Sequence, residues 1–120
     1  MRLRLTLAAI AVLAGLAVGS SADASTSSAV QATGKEFSIS LSRSQVKPGK
    51  LRVEFVNFGQ DDHDLAVTRR SGGATTRLPT VHPGDRAVKR MTVRSGTYVF
   101  WCTLSDHKKK GMRAVLRVKR

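Results

Sequence analysis

Cys102, His107 and Met112 follow one another with four residues between each pair, in the run Cys102-Thr103-Leu104-Ser105-Asp106-His107-Lys108-Lys109-Lys110-Gly111-Met112. A thiolate, an imidazole and a thioether on one short segment form a soft donor set that favours copper over hard cations. Cys102 is the single cysteine of the chain, so an internal disulfide is excluded. It is therefore a buried spectator, or a reactive or metal-binding group. A second imidazole comes from elsewhere. His63 follows the turn Asn57-Phe58-Gly59-Gln60-Asp61-Asp62 and opens the segment Asp64-Leu65-Ala66-Val67. Two imidazoles, one thiolate and one thioether correspond to the trigonal His2Cys arrangement with a long axial Met used in blue-copper electron transfer. Taken singly, each residue has a plainer role: a core cysteine, two surface histidines, a core methionine. Zinc would accept much of the same set.

The elements that must position these residues read as strands, because the hydrophobic period is two almost throughout. Phe37, Ile39 and Leu41 alternate with serines, and Leu51, Val53 and Phe55 alternate with Arg52 and Glu54 after the turn Lys47-Pro48-Gly49-Lys50. Leu65 and Val67 share a face of the next strand. Thr75 to Thr80 reads as a short edge strand limited by Pro79. Past the turn His82-Pro83-Gly84-Asp85, residues 86–93 and 97–102 form two more strands. Met112, Ala114, Leu116 and Val118 then face one side of a last one. Met91 reads as a core residue, Trp101 as the main core aromatic with Phe100 as its equal substitute, and His82 as a surface turn residue. Six to eight short strands predict an all-β sandwich or barrel. Residues 102–112 become a single loop at one end of it, able to bend three side chains toward one point.

In these residues the chain resembles the cupredoxins, the small blue-copper proteins that include plastocyanin, azurin and sulfocyanin. The resemblance extends from about Gly34 to Arg120 and is concentrated in 57–63 and 97–112. It implies a Greek-key β-sandwich over residues 35–120 and one copper ion per chain, cycling between Cu+ and Cu2+. It assigns His63, Cys102 and His107 as equatorial ligands and Met112 as the axial one. It further implies a one-electron carrier and not an enzyme, since no acid–base or nucleophile–base pair is evident. Two positions differ from the family pattern. Asp64 stands where plastocyanin- and azurin-like proteins commonly carry an Asn that ties the ligand loops together, and residues 103–106 lack the family's proline.

The N-terminus bears on compartment. Arg2 and Arg4 precede the apolar stretch Leu5 to Val18, and Ala22-Asp23-Ala24 fits a cleavage site. That stretch is 14 residues long, whereas a membrane span takes roughly 20. Residues 1–24 therefore read as a signal peptide, residues 25–34 as a flexible leader rich in Ser, Thr and Ala, and the product as exported and monomeric. Removing 1–24 leaves 96 residues with 19 Lys+Arg against 7 Asp+Glu, a net charge of +12. Such an excess favours polyanionic surroundings, an anionic cell wall or membrane surface, or an acidic partner protein. Nucleic acid is not expected, for want of any binding signature. Lys108, Lys109 and Lys110, inside the proposed ligand loop, would face an acidic redox partner. Two other functions fit the same features: a copper-delivery protein that shuttles no electrons, and a metal-free basic sandwich adhering to anionic wall polymers.

Overall fold

The structure, a computed structural model, describes residues 27–120 and Gly19; the expected signal peptide lies outside the described residues. Nine strands follow in chain order: β1 (Ser28–Lys35), β2 (Ser38–Leu41), β3 (Gln45–Val46), β4 (Gly49–Asn57), β5 (His63–Arg69), β6 (Thr76–Val81), β7 (Arg86–Val93), β8 (Gly96–Trp101) and β9 (Arg113–Val118). They form a four-stranded sheet in the order β2-β1-β4-β7 and a five-stranded sheet in the order β3-β9-β8-β5-β6. The pairs β1–β4 and β3–β9 are parallel and the other pairs antiparallel. Among the described residues no helix is long and apolar enough to cross a membrane.

Two of the nine strands exceed the sequence expectation. Residues 28–34, expected as part of a flexible leader, are most of β1, paired with β4 from Ser28↔Leu51 to Gly34↔Asn57. Val30, Ala32 and Gly34 point inward in alternation with exposed or half-buried neighbours. The period of two is present but is carried by small residues, and a composition of Ser, Thr and Ala masks it. The other addition, β3, is only two residues long.

The core lies between the sheets, where Val30, Val53 and Phe55 meet Leu65, Val67, Phe100 and Leu116. Each large apolar side chain buried there contributes about 1.5–3 kcal/mol. Phe100 and Tyr98, not Trp101, are the core aromatics of β8: both are buried with Cys102, while Trp101 is half-exposed on the outer face. Met91 is partly buried against the core, and β6 with its Pro79 is an edge strand, as expected. His82 is exposed, at 70% of its side chain. Cys102 and Met112 belong to the same cluster and close one end of it.

Candidate metal centre

One end of the sandwich gathers the predicted residues from three places. His63 is the first residue of β5 and fully buried. The loop before it is stapled by Asn57, a buried side chain whose bonding capacity is well used. Its amide nitrogen donates to the carbonyls of Asp61 and Val81, both at 2.8 Å, and its oxygen accepts the Gly59 N–H at 2.8 Å. A buried amide bonded in this way fixes local geometry, because breaking any of these bonds strands a polar group.

Cys102 follows β8 and Met112 precedes β9. The Cys102 N–H donates to the Met112 carbonyl at 3.1 Å, and the Met112 N–H donates to the His107 carbonyl at 3.0 Å. Met112 is thus bonded through its main chain to both other residues of the loop, and its side chain is fully buried. Two glycines make this closure feasible. Gly111 has φ +112°, a conformation that L side chains rarely adopt. A Cβ on Gly34 would come within 2.8 Å of the Phe55 ring and 3.2 Å of the Met112 methyl, so a bare backbone in β1 makes room for the methionine.

His63, Cys102 and His107 converge, with all three ligand atoms within 4.8 Å of one another. The two Nδ1 atoms lie 3.3 Å apart, and Cys102 Sγ lies 3.5 Å from His107 Nδ1 and 3.9 Å from His63 Nδ1. With bond lengths near 2.0–2.1 Å to imidazole and 2.3 Å to thiolate, donors at a roughly tetrahedral angle stand about 3.4 Å (N–N) and about 3.6 Å (N–S) apart. The observed spacings therefore fit one first-row ion. Burial pushes the Cys102 thiol above its ordinary pKa, and a coordinating ion would displace that proton outright.

Asp64 takes the tying role expected of an Asn. Its carboxylate accepts the Thr103 N–H at 2.6 Å and also the Thr103 hydroxyl, joining the residue after His63 to the residue after Cys102.

Sequence reasoning missed the hairpin turn between β1 and β2. Its two residues each touch one imidazole. Glu36 Oε1 lies 2.8 Å from His63 Nε2, and the Phe37 ring lies 4.9 Å from the His107 ring, centroid to centroid. Glu36 also accepts the N–H groups of Asp61 and Gln60, and with these bonds first its carboxyl pKa is lowered to about 2. Lys110 Nζ stands 4.4 Å above the Phe37 ring and Lys108 Nζ 4.7 Å above Trp101, contacts worth about 0.5–1 kcal/mol each at exposed positions. Gly59 faces Glu36 so closely that no side chain would fit between them, a contact that nothing in the sequence announces.

Neither a family model nor a curated protein sequence matches this chain. Solved structures do. Reduced auracyanin from the photosynthetic bacterium Roseiflexus castenholzii superposes with a TM-score of 0.58 at 20% identity, covering 80% of this chain and 98% of that one. Auracyanin A, a blue copper protein from the green thermophilic photosynthetic bacterium Chloroflexus aurantiacus, gives 0.63 at 15% identity over 78% of this chain and 100% of that one. Reduced rusticyanin gives 0.55 at 19% identity over 78% and 79%. The fold is that of the cupredoxins.

Proposed function

We propose that the chain is a mononuclear copper protein acting as a one-electron carrier, with His63, Cys102, His107 and Met112 as the ligands. The observation that carries this reading is the convergence of His63, at the start of β5, with Cys102 and His107, on the loop between β8 and β9, at spacings that fit one ion. Two imidazoles, a thiolate and a thioether, all buried except the half-buried His107, make a set that suits copper. When bound, the copper supplies a one-electron couple with little change in coordination. The protein's own part is to hold the ligands still. Asn57 fixes the loop before His63, Asp64 joins the two ligand segments, and the main chain of Met112 closes the third. Cys102 is only 1% exposed, out of reach of a substrate, which supports a carrier over an enzyme with a cysteine nucleophile.

The same reading assigns a docking side. His107 is half-buried beside three exposed lysines, Lys108, Lys109 and Lys110, a surface suited to an acidic redox partner. The basic n-region and apolar stretch of residues 5–18 support export.

Visible spectroscopy on the copper-loaded protein tests the proposal. The expected result is an intense thiolate-to-copper band that disappears on reduction, returns on reoxidation, and is absent from Cys102→Ser. Copper bound without that band would instead identify a delivery protein. No tight copper binding would leave a metal-free basic sandwich.

A further inference from the structure

We propose that Glu36 is a positioning residue for the metal centre, setting the tautomer of His63 and strengthening it as a donor. This rests on the copper reading above and extends it to the reduction potential.

The geometry is specific. His63 turns Nδ1 toward Cys102 and His107 and Nε2 toward Glu36, whose Oε1 is 2.8 Å away. A carboxylate oxygen accepts and does not donate, so Nε2 carries the ring proton and Nδ1 keeps its lone pair for the cluster. The carboxylate is itself fixed. The same Oε1 accepts the N–H groups of Gln60 and Asp61, each at 2.9 Å, so the loop that delivers His63 also grips the residue that orients it. Gly59 completes the grip. A Cβ there would lie 2.2 Å from Oε1 and 2.7 Å from the carboxyl carbon, a separation that only glycine allows.

An outer partner of this kind fixes ring orientation and raises ligand basicity. A charged acceptor on Nε2–H pushes electron density toward Nδ1, and a stronger donor favours the more highly charged ion of the couple. Glu36 therefore lowers the reduction potential relative to the same centre with a neutral acceptor.

Mediated redox titration of the copper-loaded protein, comparing wild type with Glu36→Gln, tests this. Glutamine keeps a hydrogen-bond acceptor but removes the charge. The expected result is an intact thiolate-to-copper band with the midpoint potential shifted upward; an unchanged or lowered potential with the band intact overturns the proposal. A second measurement needs neither metal nor variant. In the apo protein near pH 8, imidazole 15N NMR should find His63 protonated at Nε2 alone, and protonation at Nδ1 would overturn the assignment. If wild type shows no band at all, the copper reading fails. The tautomer then decides the role of Glu36 by itself, as it does if Glu36→Gln does not fold.

Discussion

The two imidazoles of the centre lie 3.3 Å apart and live in opposite surroundings. His63 is fully buried, begins a strand, hydrogen-bonds to a carboxylate, and follows a loop ending in two aspartates. His107 is half-buried on a loop tip, packs against Phe37, and precedes three lysines. One ligand is built into the fold by hydrogen bonds from its neighbours. The other is held mainly by its own short loop and presented beside a cationic surface. For the proposed carrier, the difference would separate two tasks: one side of the ion immobilised, and the other kept within reach of a partner.

The comparison breaks most decisively at the ligands themselves. His63→Ala and His107→Ala should both abolish the thiolate-to-copper band, but only the first should greatly weaken the apo fold. Removing the fully buried ring leaves a cavity, at a cost of about 2–3 kcal/mol. His107→Ala should cost about 1 kcal/mol or less. Urea denaturation of the two apo variants measures the gap, and equal losses would dissolve the distinction.

A smaller effect tests the charged side. Replacing Lys108, Lys109 and Lys110 with Gln should slow oxidation of the reduced protein by ferricyanide, an anion, on the order of 10-fold at low salt. That difference should fade as salt is added. Neutralising Asp61 and Asp62 on the other side should change this rate far less; stopped-flow kinetics at two ionic strengths compare them.

The smallest effect concerns His82, bonded through Nδ1 to Asp62 at 2.7 Å on the acidic side. That hydrogen bond raises the His82 pKa above its ordinary 6.5. A raised folded pKa stabilises the protonated state, so the contribution is complete below pH 6.5 and is lost as pH rises through the folded value. The stability difference between wild type and Asp62→Asn should therefore shrink with rising pH from that point. Denaturant titrations across the range check the sign.

Much of this was legible in the sequence, and the exceptions have physical reasons. The candidate ligands could be named because Cys102, His107 and Met112 share one loop and His63 opens a strand. The parity of β8 was also readable: if Cys102 faces inward, so do Phe100 and Tyr98, and Trp101 cannot. Glu36 was not. Its partner is 27 residues away, and only the parallel pairing of β1 with β4 brings the hairpin turn beside the Asn57 loop. Strand β1 itself was hidden because its inward residues, Val30, Ala32 and Gly34, are small. At Gly34 a larger residue has no room, because Phe55 and Met112 occupy the space above it.

The placement of three donors within residues 102–112 has a consequence for the unfolded chain. Closing so short a loop costs little entropy, so a soft ion can already be chelated by Cys102, His107 and Met112 before any strand has paired. His63 and its Glu36 support join only when segments far apart in sequence meet. A ligand stabilises a fold only by the excess of its affinity for the native over the denatured state. Copper should therefore raise the unfolding free energy by less than its native affinity alone would give, the shortfall being the grip of the unfolded loop.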